Sequence, residues 1–249
     1  MLNSADYGVP QIRERVFAIA VKKNERIPDM LPQPTNVGPE DKKTPNQQRF
    51  KSFCKYPNFK IPVQAADSLP SWVTVGEALS DLPELFPSAQ TKYVLNKINM
   101  PLKYKSEAQC TYQHTMREWY GQDVGIVSGN CFRKTLRDYP IFAEMKQGDG
   151  YVEASAIADE IFKKSCMAQG ITLSSNKEKY EKLKKEIVPP YDRDNFKSKW
   201  QKLREDIPSH TVVAHLSVDT YSHIHPVEPR GISVREAARL QSFPDSFYF

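Results

Sequence analysis

Three polar side chains near the start of the chain, Gln11, Arg13 and Arg15, alternate with Ile12 and Glu14. A guanidinium is always charged and offers five N–H donors, so Arg13 and Arg15 suit a phosphate or a carbonyl oxygen. Taken alone, the three also fit a solvated strand edge. A second group lies mid-chain, where His114, Arg117, Arg133, Lys134 and Arg137 interleave with Tyr112, Trp119, Tyr120 and Tyr139. Such a mixture suits phosphate anchoring and base-edge contact, although a charged face over an aromatic core accounts equally well for any single residue. His223 and His225 form His-x-His, with His210 and His215 upstream. Two alternating histidines can bind zinc given a third ligand, but no suitably spaced cysteine or acidic partner stands out, and no metal is expected. Cys54, Cys110, Cys131 and Cys166 are scattered, with no Cys-x-x-Cys and no activated setting. They read as free thiols in a reducing compartment.

The elements that must position these groups are legible in part. Val16–Val21 is an unbroken apolar run, as in a strand covered on both faces, yet no earlier strand is there to pair with it. Residues 22–72 hold eight of the 19 prolines and read as an extended, loop-rich connection. Thr74 and Glu77 form a capping box for a helix over 74–82 that Pro83 stops. The stretch 84–150 is the least periodic. A helix is expected over 152–168, ending near Gly170, and another over 176–188, capped by Ser175 and Glu178. In the second, Glu178–Lys182 and Glu181–Lys185 are favourable pairs and Tyr180, Leu183 and Ile187 share a face, before Pro189-Pro190 ends it. Thr211–Leu216 reads as a strand. Ser233-Val234-Arg235-Glu236 opens a last helix running to about Gln241.

Composition sets the broad class. With 39% apolar and 26% charged residues in 249, the chain fits a soluble globular protein of one large or two modest domains. No apolar run is long enough to cross a bilayer, and the first residues have no signal-peptide pattern, so an intracellular location is expected. A net charge of +5 permits nucleic-acid binding without establishing it.

Two segments carry a family resemblance. Asn3-Ser4-Ala5-Asp6-Tyr7-Gly8-Val9-Pro10-Gln11-Ile12-Arg13-Glu14-Arg15-Val16-Phe17 resembles the Gln-x-Arg-x-Arg block, the eighth of ten ordered motifs of DNA (cytosine-5) methyltransferases. The segment from Arg230 to Asp245, Arg-Gly-Ile-Ser-Val-Arg-Glu-Ala-Ala-Arg-Leu-Gln-Ser-Phe-Pro-Asp, is similar to their ninth motif. Pro208–Leu216, Ile224-His225-Pro226 and Thr74–Pro83 are also similar to family segments, and all come in family order.

The resemblance implies a fold and a set of roles. The fold class is α/β: terminal pieces of an incomplete Rossmann-like catalytic domain (1–21 and the ninth-motif helix, 230–249) plus a mixed, loop-rich α+β target-recognition domain (22–229). Arg15 would contact the flipped base or a neighbouring phosphate, with Arg13 and Gln11 ordering that wall of the cytosine pocket. Flipping is required because the reacting ring atoms cannot be reached inside a stacked duplex. Arg230, Arg235, Glu236, Arg239 and Gln241 would organise the recognition region, while His114, Arg117, Arg133, Lys134 and Arg137 would meet DNA.

The family also needs a Pro-Cys-Gln nucleophile, a Glu-Asn-Val acid, a Phe-x-Gly-x-Gly turn for S-adenosylmethionine and a closing Gly-Asn-x-Val-Pro; none occurs here. The complete enzyme would use S-adenosylmethionine, whereas this chain alone is expected to bind no cofactor and to be inactive. The expected partners are double-stranded DNA, the missing amino-terminal part or a subunit carrying it, and a cognate restriction endonuclease system. The expected location is intracellular and DNA-associated, cytoplasmic in a prokaryote. A truncated enzyme is favoured over a subunit of a split methyltransferase, a non-catalytic sequence-specific DNA-binding module, or an inert remnant.

Overall fold

The computed structural model describes residues 1–22, 31–39, 46–85, 100–121, 123, 125–193, 199–214 and 221–249. Strand β1 (Leu2–Asn3) leads through a single 3-10 turn, Ser4–Tyr7, to β2 (Glu14–Arg15), its antiparallel partner. Then come α1 (Asn46–Arg49), α2 (Val75–Leu79), β3 (Leu102–Lys103), α3 (Thr111–Glu118) and β4 (Ile126–Val127), which pairs with β3. Helices α4 (Tyr139–Glu144), α5 (Tyr151–Gln169), α6 (Lys177–Ile187) and α7 (Val234–Arg239) complete the order. The chain is therefore mixed helix and strand, and its strand content among the described residues is small.

Local chemistry explains several helix ends. Thr74 and Glu77 close a capping box at α2, and Ser233 and Glu236 close another at α7; each satisfies orphan N–H groups of its first turn. Gly170 ends α5 with φ at 61°, where a side chain would be strained. At α6 the cap is Asn176, whose side chain accepts from the Lys179 N–H, and not Ser175, whose hydroxyl is drawn back to the Thr172 turn.

Two expected strands do not form. Val16–Val21 has no ladder among the described residues, and Val16 and Phe17 are each 65% exposed. An apolar run becomes a strand only where a neighbour takes its backbone hydrogen bonds, and this one has none there. The segment 211–214 is irregular, held by the Gln11 and Arg13 side chains and by the Thr211 hydroxyl on the Ile12 carbonyl instead of a ladder, while His215 and Leu216 lie outside the described residues. Residues 22–72 carry only the four-residue α1 as regular structure among those described.

Two apolar clusters form the core. One gathers Phe142, Tyr151, Trp200, Tyr221 and Ile224, with aromatic rings edge-on at 5.0–5.7 Å. The other joins α2, α3 and α7 through Val75, Leu79, Tyr112, Met116, Ile232 and Leu240. Helix α6 buries no residue fully and leans on α5 through Tyr180 against Phe162. No helix among the described residues is long and apolar enough to cross a membrane.

Candidate nucleic-acid interface

Gln11 is buried where the first residues of the chain meet the last. Its Nε2 donates to the Leu240 carbonyl at 3.3 Å, and its Oε1 accepts from the Val212 N–H at 2.8 Å. Backbone bonds from Ile12 to Ser209 and from Ser209 to Pro10 lace the same strips, and the Thr211 hydroxyl donates to the Ile12 carbonyl. Arg13 follows half-buried, with Nη1 donating to the Val212 carbonyl at 3.4 Å. Arg15 is exposed and donates to the carbonyl of Glu14, which itself pairs with Arg49.

Val212, on whose carbonyl Arg13 rests, lines an open groove of about 510 Å³ together with Val213, Ala214, Arg133, Gln241, Phe243 and the Ala237–Ala238 face of α7. Its walls are mostly apolar, and Arg133 brings the charge. The Arg133 guanidinium lies 5.0 Å from the centre of the Tyr221 ring, which anchors it at the edge of the aromatic core.

Helix α7 and its flanks are held by arginines that face inward. Arg239 is fully buried and donates to Asp81, Asp245 and the Ala78 carbonyl. Burial opposes its charge, yet the two carboxylates hold it protonated more firmly than an ordinary arginine. Arg230 reaches Glu236 and Glu228, and Arg235 donates to the carbonyls of Ser128, Pro244 and Phe247. Burial alone would raise the Glu236 carboxyl, but Arg230 beside it holds it at about 2. Gln241 is half-buried and donates to the Ala237 carbonyl.

Arg117 separates from the other residues expected to meet DNA. It is 6% exposed, and it donates to Asp81 at 2.9 and 2.7 Å, to Asp123 and to the Ser106 carbonyl, over the Tyr104 ring. With its donors spent inside, it belongs to the core and not to a DNA face. Its helical spacing gave no sign of this, because Asp81 is 36 residues away. His114 is exposed and pairs with Glu118, and Lys134 is exposed. Arg137 pairs with buried Asp138.

The histidines part company too. His223 stacks on His210 at 3.9 Å, and burial, then the His210 ring, lowers it to about 3. His225 turns elsewhere, 3.7 Å from Glu236, and its ring accepts from the Val227 and Glu228 N–H groups. Acidic partners therefore do stand near His225: ligand atoms of His225, Glu228 and Glu236 lie within 4.8 Å of one another. The Arg230 guanidinium already bonds both carboxylates, supplying the cation that such a trio calls for. Sequence reasoning missed Asp81 and Lys202. The latter is buried, and its ammonium donates to the carbonyls of Phe142 and Met145 at the end of α4.

A profile of C-5 cytosine-specific DNA methylases matches residues 1–249, the whole chain. The chain belongs to that family. M.OihORF3336P of Oceanobacillus iheyensis, which carries a type II methyltransferase name, is 48% identical over 254 residues, covering 100% of this chain and 54% of its own length. The type II methyltransferase M.AgeI of Thalassovita gelatinovora is 30% identical, covering 100% of this chain and 58% of its own. The chain thus spans little more than half the length of these relatives. A crystal structure titled as a DNA modification methyltransferase encoded within a prophage of E. coli has a similar fold, with a TM-score of 0.51 at 20% identity, over 100% of this chain and 50% of that one.

Proposed function

We propose that this chain is the target-recognition portion, with one wall of the cytosine pocket, of a DNA (cytosine-5) methyltransferase acting on double-stranded DNA. The observation that carries the reading is the buried amide of Gln11, which ties the arginine-bearing opening segment to Val212 and Leu240. Arg13 thereby rests on Val212, which lines a groove that also holds Arg133, and exposed Arg15 follows two residues later. In this reading Arg15, the freer of the two, meets the extruded base or its phosphate, and Arg13 and Gln11 set the wall. Arg133, Lys134, Arg137 and His114 anchor DNA, within a recognition domain at 22–229 between catalytic-domain pieces at 1–21 and 230–249. Arg230, Arg235, Glu236, Arg239 and Gln241 act structurally.

The methyl donor of the family, S-adenosylmethionine, is a poor match for the two grooves that flank α7. It is a sulfonium cation with a ribose, and the large groove by α7 offers Arg133 and no carboxylate. The acidic recess by Glu205, Glu228 and Glu236 is about 110 Å³, below the roughly 300 Å³ at which small-molecule sites begin. With no Pro-Cys-Gln, Glu-Asn-Val or Phe-x-Gly-x-Gly string in the sequence, this reading assigns donor and nucleophile to other polypeptide and takes the chain alone as inactive. The type II names of the relatives suggest a cognate restriction endonuclease as genetic partner.

The test is duplex binding by the purified chain as salt is raised, with methyl transfer measured in the same preparation. Salt-sensitive binding that prefers one short sequence, with no methyl transfer until the rest of the enzyme is supplied, is expected. Transfer by the chain alone, or salt-insensitive failure to bind, overturns the reading. Binding that stays sequence-specific when no second part restores transfer would favour a non-catalytic recognition module.

A further inference from the structure

We propose that the carboxy-terminal end of α6 extends the DNA-contacting surface, with Lys184 and Lys185 holding backbone phosphates of the duplex outside the target site; this rests on the function proposed above. Lys184 and Lys185 are exposed and line an open groove of about 470 Å³ with Arg137, Glu181 and the Val188–Pro190 turn. The segment that brings Arg137 there is short, and its other end reaches a different place. Arg133, four residues earlier, lines the groove beside α7 and the Arg13-bearing strip. Exposed Lys134 lies between them in sequence. Residues 133–137 thus bridge two grooves and lay a basic track from the proposed pocket wall to the last turn of α6.

Charge selects the occupant. Three cations and one carboxylate line the α6 groove, and Arg137 is already paired with Asp138. The two lysines are the mobile point charges, suited to phosphates whose spacing they need not match closely. Helix α6 has no fully buried residue, so core packing does not account for the lysines at its end. They also complement the negative end of the helix dipole, a role confined to stability. Contacts of this kind position a duplex without reading it, so they should strengthen cognate and non-cognate binding alike.

The experiment compares two double variants of the chain in a salt series with a mixed-sequence duplex, read by fluorescence anisotropy. Lys184→Gln with Lys185→Gln should reduce the slope of log K against log salt by about 1.8, at roughly 0.9 for each phosphate released. Lys177→Gln with Lys179→Gln removes equal charge from the exposed start of α6 and should leave the slope unchanged. Equal slope changes in both variants, or none in the first, overturn the proposal, since only bulk charge or helix stability would then be at stake. Thermal melts identify any loss of fold, and in that event Lys184→Arg with Lys185→Arg must retain the wild-type slope. Wild type that binds while the first variant keeps its slope sinks this proposal alone; wild type that does not bind duplex at all sinks the functional reading and this proposal with it.

Discussion

Arg239 lays two of its donors on Asp81, at 3.0 and 3.2 Å, where neither residue sees solvent. The same carboxylate receives Arg117 from α3, so one acid joins α2, α3 and α7. Removing it leaves two buried guanidiniums with one acid each, Asp245 for Arg239 and Asp123 for Arg117. Asp81→Ala should cost about 3–5 kcal/mol, as loss of one partner from a buried ion pair does. Urea denaturation measures it, and a loss below about 1 kcal/mol would show that water can replace the acid.

Gln11→Ala leaves the Val212 N–H and the Leu240 carbonyl without their side-chain partner. Each unsatisfied buried group costs about 1–3 kcal/mol. The midpoint of unfolding should fall accordingly, and an unchanged midpoint would mean that the two strips do not depend on this amide.

Acid should weaken the fold before ordinary carboxylates begin to take up protons. Burial lowers His225 to about 4 and His223 to about 3 from an ordinary 6.5, and it lowers His210 as well. A depressed histidine binds its proton more readily in the unfolded chain, so its contribution is whole above pH 6.5 and drains away as pH falls toward the folded value. Each fully coupled histidine steepens the loss by about 1.4 kcal/mol per pH unit. Unfolding free energies measured between neutral pH and pH 4 should show this slope, and His223→Gln should flatten it. A flat profile in the wild type would contradict the burial of these rings.

At α6, Asn176→Ala should lower helicity and cost about 1 kcal/mol, whereas Ser175→Ala should cost less. Circular dichroism with thermal melting separates the two; the reverse order would restore the serine as cap.

Lys134→Gln should weaken duplex binding without moving the melting temperature, because the side chain is exposed. Arg117→Gln should do the opposite, unfolding the protein at lower denaturant with its DNA effect following only from that loss. Paired melts and binding curves decide whether the assignment of these two residues holds.

What the sequence disclosed was local. The boxes at Thr74–Glu77 and Ser233–Glu236 and the left-handed stop at Gly170 depend on neighbours in the chain, and they are found where their spacing puts them. The helix over 152–168 is Tyr151–Gln169, and that over 176–188 is Lys177–Ile187. What it concealed was long-range. Val16–Val21 has the composition of a strand, but composition says nothing of whether a partner is at hand. Arg117 and Lys134 look alike as letters, and only the acid at position 81 sends one into the core. His225 meets Glu236 by way of a turn that no residue spacing announces.

The meeting of Gln11 with Val212 and Leu240 also orders events in time. During synthesis the opening segment emerges long before the strip it must lace to, so it waits on the ribosome with its hydrogen bonds to water. Closure over that much chain carries a large entropic penalty and comes late. Val16–Val21 is bare before that closure and remains exposed after it, which makes the chain a natural client for a chaperone that grips extended apolar peptide.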